Sequence, residues 1–294
     1  MNLSQAAPYP HGSNTMIKKH LNRSRLTTAL GLMLLLTTIE PLQAQQRPGF
    51  LEDDRPAPRN EEGRVSLGPA PGGAGYWARR TGNLVVNPDS YEARATLNSP
   101  IHIDDVPLKD WARTLTNFRH DLYLASEPYT RCKPAGGPRQ IMSPYGFEIV
   151  DMPDLDRVYI ITTSNAMTWR VIFMDGREHP ENLRPSYFGH SIGHWEGDTL
   201  VVDTVGFNEK SWFSRDGLPT TTALHLTERY SRPNFSTLIY DVTIDDPGAY
   251  DAPWDSGFVL GWNEGEELFE YVCQENNVSP DAMIGDGRIS SIAP

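Results

Sequence analysis

Between Gly146 and Cys273 the chain carries a series of short apolar stretches, each followed by a turn signal. β-Branched and aromatic residues dominate these stretches, and Gly197-Asp198 is the clearest turn between two of them. Runs of this length are typical of strands, and Gly-Asp or Asp-Gly between them indicates hairpins. The pattern therefore predicts an all-β fold, an antiparallel meander that closes as a calyx-like, lipocalin-like barrel or forms a sandwich.

The same pattern predicts the bounds of the strands. Phe258–Trp262 is a possible ninth strand, and further turns are predicted at Asp154, Asp175-Gly176 and Pro233-Asn234. The eight main predictions are Phe147–Asp151, Arg157–Thr163, Trp169–Met174, His190–Glu196, Thr199–Val205, Ala223–Tyr230, Thr237–Ile244 and Leu268–Cys273.

One helix is predicted before the strands, from Leu108 to about His120, within residues 107–120. Asp104 and Asp105 can cap its start, and Pro107 suits a first turn. We expect the helix to pack on the sheet or to plug one end of a barrel. Its apolar side chains recur at spacings of three and four: Leu108, Trp111, Ala112, Leu115 and Phe118.

The first 44 residues have the composition of an export signal. A basic segment precedes the apolar run from Leu26 to Ile39, whose 14 residues are fewer than the roughly 20 that span a membrane. Leu42-Gln43-Ala44 fits a cleavage site, so the mature chain is predicted to begin at Gln45 and to be periplasmic or secreted. An uncleaved anchor is the alternative. The basic residues are Lys18, Lys19, Arg23 and Arg25.

The remaining chain divides by composition into two parts. Residues 45–75 are rich in Pro, Gly, Arg and Glu, and they predict a disordered arm. Residues 76–294 are assigned to one barrel domain, although the apolar residues between 76 and 100 follow no period. A chain of this length is sufficient for a single β-domain with a sizeable core.

Charge limits the possible partners. Removing residues 1–44 takes four of 26 basic and one of 38 acidic residues, which leaves 22 against 37 and a net charge of −15. Such a surface repels phosphate backbones and anionic membranes, so nucleic acid is excluded as a partner. We expect a small-molecule ligand or substrate, and no integral membrane span in the mature chain.

The cysteines predict one covalent link. Cys132 and Cys273 are the two cysteines of the chain, and an even number in an oxidising compartment indicates a disulfide. The link would join the start of the meander to its end. Two separate buried thiols are the alternative.

Glu228 and His225 are the first candidates for chemistry. They lie three residues apart on one predicted strand, so they point to opposite faces. Glu228 shares its face with apolar residues, which suits either a general acid or a carboxylate held by a cationic partner. We expect Glu228 to face inward, with His190 from the neighbouring hairpin as a possible partner.

His190 and His194 lie on the same face of one strand, about 13 Å apart. Two imidazoles at that distance cannot share a metal, and neither H-E-x-x-H nor a third ligand at a recognisable spacing is present. We therefore expect a hydrogen-bonded histidine and an exposed one, with no metal and no cofactor.

Two further carboxylates complete the candidate set of Glu228, His190, His225, Glu275 and Glu148. Glu148 lies on the first strand of the meander, and Glu275 follows Cys273 in a polar segment that forms either a pocket rim or a solvated turn. The sequence lacks G-x-S-x-G, a P-loop, a dinucleotide fingerprint and C-x-x-C. These absences argue against well-marked hydrolases, kinases and dehydrogenases.

With these segments in view, residues 107–285 resemble a family of exported, uncharacterised proteins of environmental Gram-negative bacteria. In that family position 194 is often Arg or Trp, which weakens a metal role for His194, whereas His179 matches the pattern, as do Glu228 and Glu275. The resemblance implies export but no particular reaction. The shared motifs lie at Arg131–Pro134, Asp175–Pro180, Ser191–Val202, Glu228–Tyr230 and Glu270–Asn276.

Two functions follow from these residues. The first is a cofactor-independent enzyme, a lyase, isomerase or hydrolase that uses carboxylates and histidines for acid–base chemistry on a small organic molecule in a barrel cavity. The second is a lipocalin-like binding or carrier protein without catalysis. Several ionisable groups around one cavity would favour the enzyme, and a mainly apolar interior would favour the carrier.

Overall fold

The computed structural model describes residues 53–81, 84–86, 101–122, 127–143, 145–163, 168–210, 212 and 214–275. The predicted signal peptide, residues 1–44, lies outside these residues. Within them, no helix is both long enough and apolar enough to cross a membrane.

Most of the described chain is strand. Nine of the described strands close into a barrel, in which each is hydrogen-bonded to the next in the order β1-β11-β10-β9-β8-β7-β6-β5-β4. The two others, β2 and β3, form a small parallel sheet. The all-β barrel is therefore confirmed. The strands are β1 (Gly75–Thr81), β2 (Val85–Val86), β3 (Ile101–His102), β4 (Phe147–Met152), β5 (Arg157–Thr162), β6 (Thr168–Phe173), β7 (His190–Glu196), β8 (Thr199–Val205), β9 (His225–Ser231), β10 (Thr237–Asp245) and β11 (Trp254–Glu264).

The meander is antiparallel except between β6 and β7, which run parallel. The predicted antiparallel order is interrupted at this one place because residues 174–189 carry the chain back to the starting end of β6. Parallel neighbours need such a long connection, whereas a two-residue turn makes a hairpin. The described pairing joins Ile172 to Ser191 and Phe173 to Ile192. We call this junction the β6/β7 seam.

Strand β1 closes the barrel between β4 and β11. Trp77 is paired with Phe147 on one side and with Trp262 on the other. The sequence predicted no element here because Gly-Tyr-Trp-Ala-Arg-Arg-Thr lacks a clear alternation. A Cβ on Gly75 would lie 2.3 Å from the Trp262 ring, so glycine is needed at this contact.

The segment before β1 packs against the barrel, contrary to the predicted disordered arm. Val65 and Leu67 are only 3% and 4% exposed, and Trp77 Nε1 donates a hydrogen bond to the Leu67 carbonyl at 2.6 Å. A polar composition hid these two isolated apolar residues, which become buried only through contacts with distant strands.

Residues 268–273, predicted as the last strand, form no strand. Because β1 occupies the position beside β11, the barrel closes without this segment. A disulfide holds it instead, between Cys273 and Cys132, with 5.7 Å between their Cα atoms. The predicted disulfide is thus confirmed.

The helix α1 spans Asp110–Asp121, two residues later than predicted, and a short helix α2 spans Pro138–Ile141. Trp111 and Phe118 are 45% and 57% exposed, whereas Leu108 and Ala112 are buried, so only part of the predicted apolar face is covered. The helix lies on loops through a narrow stripe, in which Arg119 Nη1 donates to the Gly217 carbonyl at 2.6 Å. The caps predicted at Asp104 and Asp105 fall in a separate 3₁₀ turn, Ile103–Asp105.

The inward face of the barrel carries large side chains. Alternate residues of β9 and β10 are buried, and paired residues of neighbouring strands share the inward face. The largest fully buried side chains include Trp77, Tyr230, Tyr240, Phe147 and Phe258.

Candidate acid–base site

Glu228 faces the barrel interior, as its strand position predicts, and it is completely buried. Its carboxylate pairs with the buried guanidinium of Arg170 on β6, which donates from Nη1 to Oε1 at 3.0 Å and from Nη2 to Oε2. The hydroxyls of Tyr230 and Tyr240 donate to Oε1 at 3.0 and 2.9 Å. The structure therefore shows the ion-pair arrangement and not an isolated carboxyl ready to donate a proton.

Arg170 uses its remaining donors on β7 and β8. Its Nε donates to Ser191 Oγ at 2.9 Å, and its Nη2 donates to Thr204 Oγ1 at 2.7 Å. Burial lowers the pKa of Arg170, but the charge and hydrogen bonds of Glu228, together with Tyr230 and Tyr240, raise that pKa above its ordinary value. The guanidinium therefore stays charged. We call these linked side chains the inner network: Arg170, Glu228, Tyr230, Tyr240, Ser191 and Thr204.

A second network lies on the outer face of the same strands. His179 Nδ1 is 2.7 Å from His190 Nδ1, and His179 Nε2 is 2.7 Å from Asp203 Oδ1. His225 Nε2 is 2.5 Å from Asp203 Oδ2. One carboxylate therefore joins two imidazoles, and a third imidazole extends the chain. These four side chains are the outer network.

Strand alternation accounts for three members of the outer network. His190 precedes the inward Ser191, Asp203 precedes the inward Thr204, and His225 precedes the inward Leu226, so all three point outward. The fourth member, His179, comes from the segment that connects β6 to β7. Gly189 returns this segment to β7 with a φ of +65°, where a Cβ would lie 2.6 Å from the Val205 carbonyl oxygen.

The hydrogen bonds define the tautomers of the outer network. A carboxylate can only accept, so His179 and His225 each donate from Nε2 to Asp203. A neutral His179 then accepts at Nδ1, and His190 donates from its own Nδ1. Neutral His190 is left with a lone pair at Nε2, and no hydrogen bond between described residues uses that atom.

The surroundings of His190 favour its neutral form. Partial burial lowers the pKa of His190, and the nearby His179 and Arg177 lower it further. Burial raises the pKa of Asp203, but the hydrogen bonds from His225 and His179 outweigh it and keep that pKa below its ordinary value. At neutral pH the network therefore presents a neutral imidazole connected to an ionised carboxylate.

His190 lines a cleft of about 680 Å³ at the β6/β7 seam. Strands β6 and β7 are paired only at the end of β6. The cleft lies beside the first residues of β6, next to Phe188 and Gly189. Tyr159, Trp169, Phe173 and Phe188 supply aromatic walls. The polar side chains that line it are Arg157, Thr168, Arg170, His190 and Ser191.

The electrostatics of the cleft differ from those of the whole chain. Among the described residues that line it, two are arginines and none is a carboxylate, although the whole chain has a net charge of −12. Arg170 already pairs with Glu228. Arg157 at the wall lies 5.5 Å from the Phe173 ring centroid. The cleft thus combines aromatic surface, a cation and an imidazole base.

The candidate residues from the sequence fall in three places. His190 and His225 belong to the outer network, whereas Glu228 belongs to the inner one. Glu148 lies on the outer face of β4, two strands away from β6, where burial and Glu267 raise its pKa. Glu275 is exposed in the turn after Cys273. The structure therefore brings neither of these carboxylates to the cleft.

Sequence reasoning missed several residues that complete the two networks, and Asp203 and Arg170 are the central ones. Asp203 alternates with buried neighbours on β8, so its outward position was readable, but its histidine partners were not. Arg170 has the parity of the buried Ile172 on β6, and this inward position was a signal for a buried cation.

The geometry of the histidines bears on metal binding. The His194 side chain is 63% exposed, and its Nε2 lies 3.2 Å from Glu196 Oε1. His194 takes no part in the hydrogen bonds of His190. His179 presents opposite ring nitrogens to His190 and Asp203, so the four side chains of the outer network do not converge on one point. In the described chain, no group of three or more His, Cys, Asp or Glu residues could hold a metal ion.

Comparisons with known proteins add no family to this geometry. Models of known protein families, curated proteins and solved structures give no match to this chain. The resemblance to a family of exported bacterial proteins stays a prediction from the motifs.

Proposed function

We propose that the protein is an exported, cofactor-independent enzyme in which His190 acts as the general base on a small organic molecule bound at the β6/β7 seam. The observation that carries this proposal is the hydrogen-bonded chain from Asp203 through His179 to His190, which ends in the cleft. A base oriented by a second group that is itself held by a carboxylate is the arrangement found in activated catalytic sites. The site therefore lies in the barrel wall and not in its interior.

The network offers a route for the proton. When His190 Nε2 takes a proton from substrate or from water, its Nδ1 proton can pass to His179 Nδ1 across 2.7 Å. The positive charge then lies on His179, whose Nε2–H is bonded to Asp203. A charge beside a carboxylate is more stable than one on His190, where burial and Arg177 oppose it. The reverse transfer makes His190 an acid in a later step.

This first step is common to the three reaction classes expected from the sequence. A lyase or isomerase begins by removing a proton from a carbon acid, and a hydrolase begins by removing one from water. Arg157, which lines the same cleft, can stabilise negative charge that develops on the substrate.

Export is part of the proposal. The basic and apolar segments before Ala44 support it, as does the resemblance to exported proteins. The Cys132–Cys273 disulfide is compatible with an oxidising compartment.

A carrier protein is the second candidate, and the aromatic walls of the cleft favour it. Such walls bind a ligand without any chemistry. A carrier has no need for a hydrogen-bonded base, so the two functions differ in what loss of the His190 imidazole should do.

The test is a turnover screen with the wild-type protein and the His190→Gln variant. Carbon acids and aryl esters are incubated in D₂O, and proton exchange, elimination and hydrolysis are followed by NMR. We expect turnover in the wild type and a loss of about 10²–10⁴-fold in the variant, the usual contribution of a general base.

His194→Gln is the matched control, because His194 lies on the same face of β7 but outside the outer network. Its turnover should equal that of the wild type. Ligands that bind at the cleft but are never converted would contradict the enzyme and support the carrier. Equal turnover in His190→Gln would rule out His190 as the base.

A further inference from the structure

We infer that the cleft at the β6/β7 seam selects a planar organic anion, an aromatic or conjugated carboxylate. This inference takes the cleft of the proposed function as its site and adds the chemical class of the ligand. It depends on the shape and charge of the walls, whether or not His190 performs chemistry there.

The first argument is the aromatic surface. Trp169 is 61% exposed, although its neighbours on β6 alternate into the core. Its ring centroid lies 6.3 Å from that of Tyr159. Phe173, further along β6, and Phe188, just before β7, line the same cleft. An exposed tryptophan at the mouth of an aromatic-lined cleft is a stacking surface for a flat ligand.

The second argument is the state of the two nearby surface arginines. Arg177 is already paired with Asp175 beside it. Arg157 lines the cleft, and no ion pair between described residues involves it. A guanidinium binds a carboxylate through two parallel, charge-assisted hydrogen bonds. A neutral ligand cannot form this charged pair. Arg157 is therefore the group that would hold the ligand anion.

The third argument is the absence of competing charge. No carboxylate occurs among the described residues that line the cleft. The acidic surface elsewhere would repel an anion, so the cleft is where a small anion gains most. A cationic ligand would meet the guanidinium of Arg157 and no carboxylate among the described residues that line the cleft.

The position of His190 fits the same ligand. Phe173 contacts both groups, since His190 stacks on it at 5.2 Å and Arg157 lies 5.5 Å from its ring centroid. The Arg177 guanidinium lies 4.0 Å from the same centroid. A carboxylate held by Arg157 would therefore place the conjugated part of the molecule along Tyr159 and Trp169, in the cleft that His190 also lines. An inorganic anion would use Arg157 and none of the aromatic surface.

The experiment compares three probes of similar size by titration calorimetry: benzoate, benzamide and cyclohexanecarboxylate. Benzoate should bind at least about tenfold more tightly than benzamide, which lacks the charge, and more tightly than cyclohexanecarboxylate, which lacks the flat ring. Arg157→Gln should reduce benzoate affinity to that of benzamide. Arg229→Gln is the matched control, because Arg229 is exposed on the outer face of β9 and pairs with Glu196.

Equal binding of benzoate and benzamide, or an unchanged benzoate affinity in Arg157→Gln, would overturn the inference. The same titrations in His190→Gln separate it from the proposed function. If His190→Gln still prefers benzoate, the ligand class is supported. If no substrate is turned over by the wild type, only the catalytic proposal fails.

Discussion

The inner and outer networks lie back to back on the same strands, and they use their polar groups in opposite ways. His190 and Ser191 are consecutive residues, as are Asp203 and Thr204, and the first of each pair points outward while the second points inward. Inside, both carboxylate oxygens of Glu228 accept hydrogen bonds. Outside, the last hydrogen bond of the chain is made by His190 Nδ1, and His190 lines a cleft.

The difference shows that burial decides whether a carboxylate has a structural role or can take part in a reaction. A fully buried carboxylate must be neutralised by a partner, and once Arg170 and two tyrosines surround it, no position remains for a substrate. A partly exposed carboxylate such as Asp203 can orient imidazoles and still leave one nitrogen available. The groups suited to chemistry are therefore those on the outer face.

The largest expected effect is on stability and comes from the inner network. Glu228→Gln keeps the shape of the side chain but leaves the Arg170 charge buried without its counter-ion, so the free energy of unfolding should fall by about 3–5 kcal/mol. Asp203→Asn, in the outer network, should change it by less than about 1 kcal/mol, as exposed pairs do. Urea unfolding of the two variants measures both values.

The double variant Arg170→Met with Glu228→Gln is the control for the inner network. Removing both charges should restore part of the stability lost in Glu228→Gln, because no unpaired charge remains. Similar losses in Glu228→Gln and Asp203→Asn would show that the two networks do not differ in the way described.

The second expected effect is on turnover and comes from the outer network. Asp203→Asn removes the negative charge that stabilises a protonated His179, so turnover should fall by about 10²-fold, the lower range for acid–base catalysis. Once a substrate is known, the rate constants of folded wild type and variant give this ratio. Thr227→Val, beside Asp203 on β9, should leave turnover unchanged. A full rate in Asp203→Asn would mean that the carboxylate only positions the loop.

The smallest expected effect is on the titration of His190. Burial, His179 and Arg177 keep its pKa below the ordinary 6.5. NMR titration should therefore give a value below 6.5 in the wild type and a higher one in His179→Gln, which removes one of these causes. His194→Gln should leave the value unchanged.

This titration also sets a direction for stability. As pH falls below about 6.5, the unfolded chain takes up a proton at His190 before the folded chain does. The contribution of this histidine is therefore complete above that pH and is lost as pH falls through the folded pKa. A His190 pKa above 6.5 in the folded protein would contradict the burial described for it.

Much of the fold was predictable because strand alternation and turns are local. The pattern from Phe147 to Ile244 placed most barrel strands, and the parity of β9 placed Glu228 inward and His225 outward. Closure was not predictable. The pairing of Trp77 with Trp262 and the parallel β6/β7 seam join distant segments, and a local pattern does not specify which strands become neighbours.

The site was predictable only in its components. His190 and His225 were identified, but His179, which bonds to His190 and Asp203, comes from a long connection whose path cannot be predicted from periodicity. Arg170 and Glu228 are 58 residues apart in the sequence. To predict that they pair, one must know that the inward side chains of β6 and β9 meet in the barrel interior. The sequence pattern predicts which face of a strand a side chain occupies, whereas its partner on another strand depends on the topology of the barrel.

The parallel seam also has a consequence for the order of folding and for ligand-linked stability. Hairpins β4–β6 and β7–β11 join near neighbours in the chain and should form early, whereas the seam must wait for residues 174–189 to cross. Amide exchange should accordingly be faster at Phe173 than at Tyr240 in the middle of β10. A ligand that bridges the seam would hold together a joint that forms after the hairpins, and at 100 times its Kd it would stabilise the whole barrel by about 2.7 kcal/mol.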